Sequence, residues 1–180
     1  MRDLPELLLL RHAKSDWKDK SLNDFDRPLA PRGRRAAPLV GRYIAAEGLE
    51  PDFVLCSTAR RAVETLDLIL TALASKPEIS YLKTLYLAPP SRLLAVLRRQ
   101  SPDRSRIMVV AHNPGLHHLA VELAGAGPSP AAARLAEKFP TAALARFQVT
   151  DWSGLGESSG KAAPRLLNFV LPRDLPGHRD

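Results

Sequence analysis

The sequence predicts an α/β fold: a three-layer sandwich whose mostly parallel central sheet is flanked by helices on both faces. Four strand-length apolar runs, Leu7–Leu10, Phe53–Cys56, Ile107–Ala111 and, less cleanly, Leu166–Leu171, lack polar alternation. That is the pattern of strands covered on both sides. Segments with apolar residues at three- and four-residue spacing lie between the runs. Strands alternating with helices imply crossover connections. No internal repeat or long linker interrupts the 180 residues, so one domain spanning 1–180 is expected.

The first helix is marked by Ala36, Leu39, Val40, Tyr43 and Ile44 and stops near Glu47-Gly48, with glycine at a stop position. Pro38 is read at or near its first turn, and Pro28, Pro31 and Pro38 fix the chain around the Asp26 loop. Ala62, Leu66, Ile69, Leu70 and Leu73 form a second stripe, and Leu93, Leu94 and Leu97 a third. A fourth, Leu116, Leu119, Ala120 and Leu123, is opened by Pro114 and closed by Gly125. Gly125–Ala133 reads as a loop leading to a short helix, and Ala143–Thr150 alternates well enough to be a fifth strand. Trp152 and Phe169 read as packing residues, and Cys56 as a small core hydrophobe.

Composition narrows the function classes. Hydrophobic residues at 45% and charged residues at 25% are those of a folded, soluble chain. Twenty-six Lys and Arg against nineteen Asp and Glu give +7, which suggests an anionic partner. A single cysteine excludes an internal disulfide and any multi-cysteine metal site. The Leu7–Leu10 run is far too short to span a bilayer and runs straight into Arg11-His12. A cytoplasmic monomer without membrane contact is expected. Nucleic acid is not an expected partner, because the basic residues are dispersed and the ten aromatics do not interleave with them. An anion- or nucleic-acid-binding module without activity is the corresponding weaker alternative.

In such sheets ligands bind outside the carboxyl ends of the strands. Three of those ends carry chemistry: Arg11-His12-Ala13-Lys14-Ser15, Ser57-Thr58-Ala59-Arg60-Arg61 and His112-Asn113-Pro114-Gly115. Two histidines and several arginines thus gather at one edge of the sheet, which no hydrophobic core requires. The set suits phosphoryl transfer through histidine, since a neutral imidazole can attack phosphorus and carry the group covalently. Guanidiniums supply permanent planar donors for the equatorial oxygens. Backbone N–H groups of the helix after His112 add to the anion's surroundings.

These residues also carry a family likeness. Leu9-Leu10-Arg11-His12-Ala13-Lys14-Ser15 resembles the Arg-His signature of the histidine phosphatase (phosphoglycerate mutase-like) superfamily, and its Ala-Lys-Ser continuation resembles the SixA-type phosphohistidine phosphatase branch. Asp26-Arg27-Pro28-Leu29 with Arg32-Gly33 and Ala36, then Ser57 with Arg61-Ala62 and Glu64-Thr65, then Val110-Ala111-His112-Asn113-Pro114 follow in the expected order. Phe139-Pro140-Thr141-Ala142-Ala143, Trp152 and Phe169-Val170-Leu171-Pro172 extend the likeness over nearly the whole chain. It implies that His12 is the phosphoryl acceptor and that Arg11, Arg61 and His112 form the phosphate pocket. Ser15 and Asn113 are weaker substrate-binding candidates, and Arg60 falls one place off the motif. No metal or other cofactor is implied. The fold it implies is phosphoglycerate mutase-like.

Departures from the pattern bear on substrate. No carboxylate follows Leu85-Tyr86-Leu87-Ala88, and Asn113 stands where acid phosphatases carry Asp. Both usual positions for a general acid are therefore empty, which typically forfeits roughly 10²–10⁴-fold in rate for an alcohol leaving group. An imidazole leaving group, with pKa about 6.5, needs no such donor. The expected reaction is metal-independent removal of phosphate from phosphohistidine on a signalling phosphotransfer domain, with phosphate or sulfate fitting the pocket. The alternative is a phosphomonoesterase acting on a small phosphorylated metabolite, with Asp16, Asp24 or Asp26 supplying the acid. Asp26 is otherwise read as bracing its loop through Arg27 or Arg32. His117 and His118 are read as structural or solvent-facing, and Arg60, Arg98 and Arg99 as surface charges.

Overall fold

A computed structural model describes residues 4–125, 129–157 and 163–178. Six strands form one sheet in the order β3-β2-β4-β1-β5-β6. They are β1 (Glu6–Arg11), β2 (Phe53–Ser57), β3 (Glu78–Leu82), β4 (Arg106–Ala111), β5 (Leu144–Gln148) and β6 (Arg165–Val170). β1 pairs in parallel with β4, and β2 in parallel with both β4 and β3. β5 runs antiparallel to both β1 and β6, so it alone opposes the other five. The mostly parallel α/β sandwich is therefore as the sequence predicts.

Apolar runs without alternation become strands whose successive side chains feed two different cores. Leu7 and Leu9 of β1 join Ile107 and Val109 of β4 on one face, under α3 (Pro90–Leu97), α4 (Gly115–Ala124) and α5 (Pro130–Glu137). Leu8 and Leu10 join Met108 and Val110 on the other, under α1 (Pro31–Ala46) and α2 (Arg60–Leu70). All four β1 leucines are wholly buried. Trp152 and Phe169 pack in the first of these cores, as expected, with Trp152 Nε1 donating to the Arg104 carbonyl at 2.9 Å. Cys56 lies in the second core. No helix among the described residues is long and apolar enough to cross a membrane.

One strand and two helix boundaries differ from expectation. β3 lacks a long apolar run because it is an edge strand, with Glu78 and Tyr81 exposed. α1 begins at Pro31, so Pro38 sits inside the helix rather than in its first turn. Residues 31–35 contain no apolar side chain other than Pro31 and so hide the first turn from a periodicity count. α5 starts at Pro130, within the segment read as a loop, because Ser129 caps it by accepting from the Ala132 N–H at 3.0 Å. Residues 126–128 of that loop lie outside the described residues.

Two glycines set how closely helices approach the strand ends. A Cβ on Gly33 of α1 would lie 2.3 Å from the Lys14 carbonyl oxygen, and one on Gly115 of α4 1.8 Å from that of Ala88. Both obstacles are backbone and cannot rotate away. Gly33→Ala and Gly115→Ala are each expected to destabilise the fold by about 1–3 kcal/mol, the scale of overpacking. Urea denaturation of the purified variants measures this, and unchanged midpoints would contradict the close approach.

Candidate active site

β2, β4 and β1 are neighbours running the same way, so their carboxyl ends lie side by side at one edge. Residues that follow them in sequence therefore meet in space. His12 N–H donates to the Ala111 carbonyl at 3.1 Å, next to His112, and the two imidazole centroids stand 5.0 Å apart at 51°. Arg11, His12, Ser15, Arg61, His112 and Asn113 all line one pocket of about 510 Å³, together with Asp24, Trp17 and Leu87. Every site residue expected from the sequence is thus brought together.

The backbone around His12 is pinned from α2. Ala13 N–H donates to Thr65 Oγ at 2.9 Å, and Thr65 donates to the Arg61 carbonyl at 2.6 Å. Glu64, one position earlier, accepts from Leu29 N–H, from Arg34 and from Arg60, each at 2.8 Å. Arg60 is committed there and is absent from the pocket lining. Ser15 bridges to Leu29, and Ala30 N–H donates to the Lys14 carbonyl at 2.8 Å, which closes the loop.

Hydrogen bonds fix the chemical state of His12. Its Nδ1 lies 2.7 Å from the Ala13 carbonyl, which can only accept, so Nδ1 carries the proton. Its Nε2 lies 3.2 Å from Arg61 Nε, which can only donate, so Nε2 holds a lone pair. Burial, the neighbouring His112 and the two guanidiniums outweigh the carbonyl bond and push the His12 pKa down to about 3. His12 is a neutral imidazole with Nε2 available as a base or nucleophile.

His112 is also held neutral, its pKa lowered to about 3, first by burial and then by Arg61 and Arg11. Its Nε2 lies 2.7 Å from Ser57 Oγ, while Nδ1 is buried without a hydrogen-bond partner among the described residues. Arg61 donates through Nη1 to the Asp24 carbonyl at 2.5 Å and through Nη2 to Asp24 Oδ2 at 2.9 Å. Tyr86 OH donates to the same Oδ2 at 2.6 Å, and its ring meets His112 edge-on, 5.4 Å between centroids. Burial works to raise the Asp24 pKa, but the Tyr86 and Arg61 bonds prevail and hold it below the usual carboxylate value. Arg11 and Asn113 both donate to the Phe139 carbonyl, at 3.0 and 2.9 Å. Burial lowers the Arg11 pKa, and the Arg61 charge adds to the effect. Arg11 Nε is buried and has no hydrogen-bond partner among the described residues. Two guanidiniums facing one committed carboxylate make the pocket an anion trap.

The remaining candidates fall elsewhere. His117 donates from Nε2 to the Leu135 carbonyl at 2.6 Å, and His118 is exposed. Asp26 is exposed and does not brace its loop as expected. Arg27 instead donates to the carbonyls of Asp19 and Leu22 and stacks 4.2 Å over Trp17. Of the three aspartates considered for an acid, Asp24 alone lines the pocket. Tyr86 carries no motif in the sequence and joins the site only by reaching the Asp24 carboxylate. Among the described residues, no group of three or more His, Cys, Asp or Glu could hold a metal ion.

A model of the histidine phosphatase superfamily (branch 1) matches residues 7–85, covering β1, His12 and Arg61. The chain is 38% identical over 167 residues to an uncharacterized protein of Mycobacterium tuberculosis, covering 91% of this chain and all of that one. The chain belongs to the histidine phosphatase superfamily. It is a phosphatase of that superfamily, and its fold agrees with solved members. A structure from Nakamurella multipartitia assigned to phosphohistidine phosphatase SixA superimposes with a TM-score of 0.81 at 28% identity, over 95% of this chain and 98% of that one. One from Agrobacterium tumefaciens, likewise assigned to SixA, gives 0.79 at 27%, over 96% and 100%.

In the unfolded superfamily chain both histidines titrate near 6.5. Between pH 6.5 and about 3 the unfolded chain binds protons that folded His12 and His112 refuse. Their contribution is complete above pH 6.5 and is lost as pH falls, by up to about 1.4 kcal/mol per pH unit for each histidine. Urea midpoints at several pH values should fall more steeply for the wild type than for His12→Asn/His112→Gln. Equal slopes would show that the rings are not held neutral.

Proposed function

We propose that this phosphatase removes the phosphoryl group from a phosphorylated histidine on a signalling protein, through a covalent phosphohistidine at His12. The observation that carries the proposal is the fixed tautomer of His12, with Nδ1–H on the Ala13 carbonyl and the Nε2 lone pair beside Arg61. An incoming phosphoryl group takes over the donors of Arg61 and Arg11, while the unpartnered His112 Nδ1 supplies another contact. Ser57 Oγ already accepts from Ala59 N–H, so its proton can go to His112 Nε2, leaving the His112 proton on Nδ1.

In the first step the Nε2–P bond forms as the substrate's P–N bond breaks. The bonding pair stays on the substrate ring, whose distal nitrogen is protonated, and a neutral imidazole departs. Water then forms the new P–O bond, the Nε2–P pair returns to His12, and both water protons leave on the product as dihydrogen phosphate, which can pass one of them to solvent. Asp24 is a poor acid for a harder leaving group. It is ionised, bound by both Arg61 and Tyr86, and held below the ordinary carboxylate range. Asn113 cannot donate an acidic proton either. Similarity to two structures assigned to SixA supports the same choice.

Side-by-side assays of free phosphohistidine, a phosphorylated phosphotransfer domain, p-nitrophenyl phosphate and sugar phosphates should favour the two phosphohistidines, with a chelator making no difference. Higher kcat/KM on the esters would instead establish the small-metabolite phosphomonoesterase. His12→Ala should lose roughly 10³-fold or more in kcat, and rapid quench should trap acid-labile, alkali-stable phosphate on His12 of the wild type.

Asp24 acts as a positioning residue for Arg61. Asp24→Ala removes charge-assisted bonds of about 1.5–3 kcal/mol, so kcat/KM should fall about 10–100-fold. Asp24→Asn, which keeps an acceptor, should recover part of the loss. An Asp24→Ala variant that loses activity only on esters would mark Asp24 as their general acid.

A further inference from the structure

Beside the catalytic pocket lies a second cavity of about 340 Å³, and Lys14 and Thr141 line both. Lys14, Arg32, Lys138 and Arg173 in its walls come from four separate segments: the loop after β1, the start of α1, the end of α5 and the turn after β6. Lys14, Arg32 and Lys138 form no ion pair among the described residues. Arg173 reaches Asp174 only at 4.0 Å, and that carboxylate is already bound by Arg134. Among the described residues, Glu137 is the sole carboxylate in the cavity lining, against five Lys and Arg.

The transferred phosphoryl group does not need these cations, because Arg11, Arg61 and His112 already surround its place. They act on something attached to it. All four are exposed, with long side chains free to rearrange, unlike the buried Arg61 that grips a small anion. Trp17 and Leu87, 57% and 51% exposed, line the neighbouring catalytic pocket. An exposed Trp beside a basic rim suits contact with a protein face rather than enclosure of a metabolite.

We infer that this basic cavity is the docking surface for an acidic patch on the phosphoprotein that delivers the phosphohistidine, an inference that rests on the function proposed above. Each exposed charge adds little affinity by itself. Together they steer encounter and raise the association rate about 10–10³-fold, an effect that salt removes as the Debye length shrinks.

The test compares wild type with Arg32→Glu/Lys138→Glu on two probes: free phosphohistidine and a phosphotransfer domain with acidic residues around its phosphohistidine. The double variant should lose about tenfold or more in kcat/KM on the domain at about 50 mM salt, with the gap closing by about 300 mM. On free phosphohistidine it should stay within about twofold, which also shows that the variant is folded. Equal effects on both probes, or salt-independent hydrolysis of the domain by wild type, would overturn the docking surface and leave the phosphohistidine reaction standing. Hydrolysis of free phosphohistidine alone would also overturn it. Activity confined to phosphate esters would overturn both.

Discussion

A neutral imidazole buried between two guanidiniums is the constraint on which the rest of this structure depends. An exposed histidine would be substantially protonated near pH 6.5 and, once protonated, could not attack phosphorus. Here burial and the positive neighbours remove that proton, while the Ala13 carbonyl decides which nitrogen keeps the remaining one. Nε2 is thus left as a lone pair directed at Arg61. Nearby cations disfavour charge on the ring and, in the proposed reaction, at the same time hold the anion that the ring would attack. One arrangement meets both demands.

Holding that arrangement falls largely to α2. Arg61, Glu64 and Thr65 occupy a single stretch of helix, and each ties down a different part of the site. Arg61 meets His12 and Asp24, Thr65 takes the Ala13 N–H, and Glu64 takes the Leu29 N–H of the loop that closes over Ser15. Their spacing places Arg61 and Thr65 on one face one turn apart. A slip of this helix would move the guanidinium and the His12 backbone together. Gly33 has a matching role from α1, since only a residue without Cβ admits the Lys14 backbone.

The sheet was legible because β1, β2 and β4 are buried on both faces, which leaves unbroken apolar runs. Their chemistry was legible because Arg11, His12 and His112 directly follow such runs. β3 was hidden for the opposite reason, its edge position tolerating Glu78, Ser80 and Tyr81. Asp24 could be placed in a group of three aspartates but not chosen from it, because the choice depends on how the loop folds over Arg61. Tyr86 and the Phe139 carbonyl leave no signal in the sequence because their roles are geometric. A phenol becomes part of the site by reaching a carboxylate 62 positions away. A carbonyl carries no residue identity at all, yet this one gathers Arg11 and Asn113.

Charge balance explains why so cationic a pocket can release its product. With both imidazoles neutral, Arg11 and Arg61 against Asp24 leave a net charge of about +1, while a phosphoryl group or hydrogen phosphate brings up to two negative charges. The bound state is therefore somewhat anionic and draws a proton toward the nearest basic group. In the proposed reaction His112 is the ring suited to take it: its Nδ1–H meets an oxygen of the phosphate, and the added proton sits on Nε2, where Ser57 Oγ turns to accept. When phosphate leaves, the two guanidiniums again oppose the charged imidazolium and expel that proton. In the proposed cycle, the burial and repulsion that lower the histidine pKa would thus reset the site after each turnover, with no separate acid required.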